Sequence, residues 1–386
     1  MHPGSVVVVD PFAVLERDYP ALVERYPFLK SAGFNPVAAL DPDSDDFADD
    51  ARGLAEALIR DDNKNEPHWA RSAQDLVAGL LMCDRLENGA RGSLAMLRGY
   101  VSAEADALAA DIREHLLPMA SNQSDAAVAK LSRFTKISGE NRELFGILST
   151  AQTQTSWLDS LPIKRDLNRG TIGFGRMKHE PMTIYLILPP RYLATHSTWL
   201  RLMVTAVLQP LMRSVRPAPV PVLFMLDEFA QFGHLEVIEN NLALMREYGI
   251  KLWPIFQDLA QAKDIYKTRW ESFIGNAGVL QTFAPQDDTT RDYLSRLTGQ
   301  RLYWLKTSNL SRSETVGPAY SATSGSQEGW QHLQGPICWP QGLARMNPGQ
   351  AMLFAQGHVF RTWLPDPSEM PAVQAVLTRA AREAAS

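Results

Sequence analysis

Three short apolar runs separated by helical stretches limit the folds open to this chain. Residues 183–188 (TIYLIL), 220–226 (VPVLFML) and 250–256 (IKLWPIF) read as strands, and 198–214 and 235–248 between them carry helical spacing. Strands that alternate with helices in this way must lie parallel, because each helix returns the chain to the same end of the sheet. A four-valine run, 6–9, closed by Asp10 and Pro11, reads as a further strand buried on both faces, with neighbours expected on either side. Residues 279–283 (VLQTF) add another, and two short runs, 351–355 and 358–363, close the pattern. The expected class is α/β with a mostly parallel sheet.

Between residue 45 and residue 157 the apolar spacing is helical throughout. Phe47, Ala51, Leu54, Ala55 and Leu58 form one stripe, and Trp69, Ala73, Leu76, Val77, Leu80 and Leu81 form a second at i, i+3, i+4, i+7 spacing. Residues 140–157 read as a further helix. A helical block of about 90 residues set between strands implies an all-α subdomain inserted in an α/β domain. The expected division is 1–60 with 158–386 for the α/β domain and 61–157 for the all-α subdomain. Residues 308–328, rich in Ser, Thr and Gly, read as a flexible exposed loop.

At 386 residues the chain has enough material for two or three units of about 150 residues each. Two cysteines, Cys83 and Cys338, exclude a disulfide framework and a four-thiolate metal site, and suit a reducing compartment. The net charge of −5 excludes a uniformly basic nucleic-acid binder, yet the charge is unevenly placed. Six of the ten residues from Asp41 to Asp50 are Asp, whereas 160–216 holds nine Lys or Arg against Asp166 and Glu180. The expectation is oppositely charged faces. No segment reaches the roughly 20 apolar residues of a membrane helix, and the N-terminal MHPGSVVVVD lacks the apolar stretch of a secretory signal, so a water-soluble chain is expected.

The segment richest in chemistry is VPVLFMLDEFAQFG, 220–233, where a hydrophobic strand ends in Asp227 and Glu228. Ligands of parallel sheets bind at strand ends. In nucleoside triphosphatases the first acid of such a pair holds Mg²⁺ through water and the second polarises the water that attacks the γ-phosphate. The plain alternative is two solvated acids where a strand leaves the core. Gln257 directly follows the strand 250–256, and if the two strands are neighbours it emerges beside the acids. A neutral amide there hydrogen-bonds the γ-phosphate or its attacking water, or else is an ordinary polar strand cap. Arg246, near the end of the intervening helix with Gly249 as its C-cap, either stabilises transition-state charge across a subunit boundary or complements the helix C-terminus. The eight His do not cluster, and no G-x-S-x-G elbow is present.

Read in order, the segments 34–59, 68–81 (HWARSAQDLVAGLL), 183–193, 223–261 and 274–300 resemble the type IV secretion coupling proteins, the DNA-transfer ATPases of conjugation. The resemblance implies a RecA-like P-loop NTPase-type motor domain with an inserted all-α subdomain, assembly as a hexamer, a membrane anchor at the N-terminus, and a location on the cytoplasmic side of the bacterial inner membrane. It implies ATP and Mg²⁺ as cofactors, with Asp227 and Glu228 as Walker B acids, Asp227 holding Mg²⁺ through water, and Gln257 as the glutamine of the following motif. The partners implied are relaxase or effector substrates, components of the type IV secretion channel, and DNA held by its backbone. The basic stretch 164–216 offers a candidate DNA channel or, equally, a solvated basic face.

One departure is central. Nowhere does the chain carry G-x-x-x-x-G-K-[ST], whose backbone amides and lysine cradle phosphates. On this reading the motor domain is incomplete, lacking its first strand and P-loop, and whether this polypeptide is an ATPase stays open. Three hypotheses fit these residues: the C-terminal part of a coupling ATPase, a non-catalytic relative that binds substrates or partners, and another hexameric DNA translocase of the septum type.

Overall fold

The computed structural model describes residues 5–61, 67–137, 141–170, 172–315, 321–371 and 373–375. The chain divides into two compact units, Met1–Ile255 and Phe256–Ser386.

In the first unit β1 (Ser5–Val9) pairs in parallel with β2 (Met182–Leu186), in register from Ser5 opposite Met182 to Val9 opposite Leu186. Val8 and Val9 are buried. The second neighbour expected for β1 is not found among the described residues. Between these strands lies the helical region: α1 (Phe47–Leu58), α2 (Pro67–Asn88), α3 (Leu94–Ser102) and α4 (Arg142–Gln154), with shorter helices at Ala105–Asp111, Asp125–Leu131 and Leu161–Leu167. Helix α2 is its hub. Ala73, Leu76, Val77, Leu80, Leu81, Met82 and Cys83 are all fully buried, so the helix is apolar around much of its circumference. Glycine lets its neighbours close in: a Cβ on Gly146 of α4 falls 2.5 Å from the Trp69 ring. Burial pushes the Cys83 thiol up to about 12, which leaves it an inert core residue.

Helix α5 (Leu193–Met212) follows β2, kinks at His196 and buries Trp199, Leu202, Met203, Leu208 and Leu211. Two further strands, β3 (Val222–Leu226) and β4 (Ile250–Pro254), pair in parallel, as the alternation of strand and helix predicts. The helix expected over 235–248 is shorter. Helix α6 covers only Glu236–Asn241, and turns continue to Gly249. The Asn241 side chain donates to the Val237 carbonyl at 2.9 Å, a local bond typical of residues that compete with helix propagation. Gly249 has φ 72° and packs so closely that a Cβ would lie 2.8 Å from the Ala218 nitrogen. No helix among the described residues is long and apolar enough to cross a membrane.

The acidic run and the basic stretch, expected on opposite faces, meet at one point. Arg213, from the basic stretch, pairs with Asp46 at 3.8 Å and with Asp50, both from the acidic run. Arg176 pairs with Glu180 and Lys164 with Asp159. Lys178 is buried and donates to the Ser214 and Arg216 carbonyls, while the buried Arg201 donates to the Glu56 carbonyl. Five of the nine cations are thus engaged inside this unit.

In the second unit, α7 (Leu259–Tyr266) precedes β5 (Val279–Thr282), and α8 (Asp288–Leu297) precedes a long ribbon of β6 (Gln300–Thr315) and β7 (Ser321–Pro336). The short strands β8 (Gln350–Ala355) and β9 (His358–Trp363) form where the sequence predicts, joined by a tight turn with φ 51° at Gln356 and 77° at Gly357. Strand β5 runs antiparallel to β8, so it belongs to an antiparallel three-stranded sheet and not to a parallel ladder. Leu294, Leu343, Met346 and Met352 form the small core. The expected loop over 308–328 is also corrected. Residues 308–315 and 321–328 are ladder positions of the β6–β7 ribbon, and 316–320 lie outside the described residues. Composition misleads here because Ser and Gly read as loop, whereas the ribbon starts in the β-prone LYWLKT and continues by pairing with the opposite arm.

Asp166 links β1 to the helix Leu161–Leu167. Its Oδ1 accepts from Ser31 Oγ at 2.7 Å, and Ser31 Oγ in turn accepts from the Asp10 N–H at 2.9 Å. Burial outweighs these bonds and pushes the Asp166 carboxyl up to about 6. An acid whose folded-state pKa exceeds its unfolded value destabilises the fold once ionised, so this penalty is complete above pH 6 and vanishes toward pH 4. Asp166→Asn is therefore expected to raise stability at pH 7.5 by on the order of 2 kcal/mol and to lose that gain near pH 4, read from urea unfolding at both pH values.

Candidate active site

Strand β3 ends at Leu226, but its contact with the β4 segment continues. The Ile255 N–H donates to the Leu226 carbonyl at 3.0 Å, and the Ile255 carbonyl accepts from the Phe229 N–H at 2.9 Å. Asp227 and Glu228 lie between these two bonds, in a turn bracketed by both polar groups of one residue. To bring Phe229 back toward Ile255 the chain reverses at Glu228, which adopts φ 49°, ψ 44°. A left-handed conformation in a non-glycine residue costs free energy and marks a position held by its surroundings. The Glu228 N–H donates to Asp227 Oδ1 at 3.0 Å. Asp227 is exposed and Glu228 half-buried. The two carboxylates, which an extended strand would send to opposite faces, thus share one turn.

The segment after the acids holds the turn down. Phe229 and Phe232 are buried with ring centroids 5.8 Å apart. Gly233 then adopts φ 68°, ψ −156°, a region open essentially to glycine alone. Against it lies Arg60, with Nη1 3.4 Å from the position of a Cβ on Gly233. Arg60 Nη2 donates to Ser197 Oγ at 2.7 Å, beside the α5 kink. Its backbone N–H and carbonyl are both taken by the Gln154 side-chain amide, at 2.5 and 3.1 Å. One arginine therefore ties the segment after the acids to α5 and to the end of α4. Sequence reading missed Arg60, Gln154 and Ile255, because contacts across 94 residues and backbone hydrogen bonds leave no local pattern.

Two other candidates from the sequence have their own local surroundings. Arg246 is exposed in the turns after α6, not at a helix end, and its carbonyl accepts from the Gly249 N–H at 3.1 Å. Gln257 belongs to the second unit, one position before the Asp258 N-cap of α7. Its N–H donates to Gln261 Oε1, and its Oε1 accepts from Gln261 Nε2, both at 3.2 Å. Among the described residues no three His, Cys, Asp or Glu form a metal cage. An exposed carboxylate at a strand end fits Mg²⁺ held through water, since that ion keeps several waters and takes one or two protein carboxylates. The pair alone does not fit the phosphates of a nucleotide, which need a cradle of N–H donors and cations.

Two substitutions test the anchoring. Gly233→Ala is expected to lower stability by about 1–3 kcal/mol in denaturant unfolding, the cost of a forced backbone. Arg60→Ala is expected to speed amide exchange across 229–241 while leaving 288–297 unchanged.

Comparisons with known proteins bear on the family and the fold. The family model for type IV secretory system conjugative DNA transfer matches residues 22–359. Conjugal transfer protein TraG of Escherichia coli is 27% identical over 336 residues, covering 82% of this chain and 51% of that protein. Protein VirD4 of Agrobacterium fabrum (strain C58) is 26% identical over 290 residues, covering 72% and 42%. The chain thus spans about half the length of the TraG relative. Among solved structures, the unbound conjugative coupling protein TrwBdeltaN70 superposes with a TM-score of 0.65 at 13% identity, over 95% of this chain and 76% of that one. TrwB in complex with ADP and Mg²⁺ gives 0.61 at 12% identity, over 94% and 79%. These likenesses establish the fold, RecA-like α/β with an inserted all-α subdomain, and with the family model spanning 22–359 the chain belongs to the conjugative DNA-transfer family of type IV secretion coupling proteins.

Proposed function

We propose that this chain carries the acid-bearing part of a coupling motor that delivers DNA or protein cargo to a type IV secretion channel. The observation that carries the reading is the turn at the end of β3, with two carboxylates fixed by Ile255 and a strained Glu228. Asp227 would hold Mg²⁺ through water, and Glu228 would take a proton from the water that attacks the γ-phosphate. Gln257 would contact that phosphate or water, and Arg246, exposed in its turn, would reach a nucleotide on a neighbouring subunit of a hexameric ring. Bound Mg²⁺ supplies charge neutralisation at the phosphates. What supports this reading of cofactors is that TrwB is known with ADP and Mg²⁺. The proposed working place is the cytoplasmic side of the bacterial inner membrane, with relaxases or effectors and channel components as partners. DNA, if bound, would be gripped by its backbone, through cations other than the five engaged internally.

A second reading has its own support. The 386 residues contain no G-x-x-x-x-G-K-[ST] motif. A non-catalytic module that binds cargo or partners through the helical region needs none. Replacing Glu228 by Gln in the host and scoring DNA transfer separates the two. The catalytic reading expects a loss of about 10²–10⁴-fold, the contribution of a general base. Unchanged transfer, in a strain where deleting the whole gene abolishes it, overturns the catalytic reading in favour of the binding module.

A further inference from the structure

Away from the acids' turn, α3 and the short helix Ala105–Asp111 enclose a cleft of about 410 Å³. That size falls within the ~300–1,000 Å³ of small-molecule sites. Met96, Gly99, Tyr100 and Ala103 recur at i, i+3, i+4, i+7 along α3 and its C-cap, so one helix face supplies them. Leu108 and Asp111 come from the second helix at i, i+3. Small residues make the concavity: a Cβ on Gly99 would meet nothing within 4 Å, so open space reaches the α3 backbone.

The charge around this cleft has one sign. Residues 94–115 carry Arg98, Arg113 and His115 against Glu104, Asp106, Asp111 and Glu114. Each of those bases already has an acid: Arg98 pairs with Asp159 at 2.7 Å, Arg113 with Glu114 at 2.8 Å, and His115 with Glu87 at 2.6 Å. Asp111 is half-buried, and among the described residues its carboxylate has no hydrogen bond or ion pair. The Tyr100 hydroxyl feels the same field. Burial raises its pKa, and Glu87, Asp84 and Asp111 push it further in that direction, so the phenol stays neutral. A neutral aromatic ring beside a carboxylate and apolar walls suits a ligand with a cationic head and a hydrocarbon body, since an ammonium is attracted by both.

We propose that this cleft is a binding site for a small amphipathic cation, an ammonium carried on a short hydrocarbon body. The body lies along Gly99, Ala103 and Leu108, and the head sits at Asp111 and Tyr100. All lining residues fall within 96–111 and form one concavity with one carboxylate, which matches a single charged molecule. A groove for a peptide helix would instead present a row of anchoring pockets. The assignment goes beyond the catalytic reading and stands whether or not Asp227 and Glu228 act on a nucleotide.

The test is a ligand-observed NMR titration of the full chain with hexyltrimethylammonium chloride at fixed ionic strength, beside 1-hexanol, sodium hexanoate and tetramethylammonium chloride. Hexyltrimethylammonium is expected to bind about tenfold or more tighter than each of the others, which lack the charge, reverse it or lack the body. Asp111→Asn is expected to bring its affinity down to that of hexanol. Gly99→Leu, which fills open space and puts a better helix former in α3, is expected to abolish binding with helix content unchanged by circular dichroism. Should that variant lose helix content, the Asp111→Asn result decides. No binding up to about 10 mM overturns the proposal, as does equal affinity for hexanol or hexanoate. Binding that persists in both variants overturns it too, because the cation then sits elsewhere. So does binding of a lysine-rich peptide through Asp111 where hexyltrimethylammonium fails, which would assign the cleft to a protein segment.

Discussion

The candidate site depends on a single residue's backbone. Ile255 offers its N–H to the last carbonyl of β3 and its carbonyl to the first N–H beyond the acids, so Asp227 and Glu228 are held between two hydrogen bonds from a neighbouring strand. Nothing about the Ile255 side chain is needed for this. The requirement is that β3 and β4 run parallel in the register Leu226 opposite Pro254, which puts Ile255 one step past the end of the ladder. The left-handed backbone at Glu228 arises from the same constraint, because the chain must reverse within two residues to return Phe229 to that carbonyl. A strained acid at a strand end is thus a product of sheet register, and its position is as rigid as the sheet.

The helical region supports this turn from the other side. Its hub, α2, is buried along its length, and α1 and α4 pack on it. Arg60 leaves the end of α1 and meets Gln154 at the end of α4, Ser197 at the bend of α5, and Gly233 after the acids. A guanidinium with its donors in a planar fork suits such a junction, because one side chain serves several directions at once.

Much of this was legible in the sequence where the physics is local. An apolar run ending in two acids specifies a strand end with carboxylates, and apolar residues at helical spacing specify buried helix faces such as that of α2. The alternation of strand and helix likewise anticipates the parallel pairs β1–β2 and β3–β4. Other features depend on contacts that no window of sequence contains. The β6–β7 ribbon hides in a Ser- and Gly-rich composition because its order comes from pairing between distant arms. Helix α6 stops at Asn241, whose side chain bonds back to the Val237 carbonyl, a feature that propensity alone does not anticipate. The role of Gly233 is visible only once its φ and ψ are known.

The meeting of Arg213 with Asp46 and Asp50 also redistributes the field of the basic stretch. Opposite charges in contact neutralise one another, and beyond a Debye length of about 8 Å little of these three side chains is felt. Arg213 therefore serves as a tie between the end of α5 and the start of α1, and any long-range attraction of an anion to this stretch rests on its remaining cations.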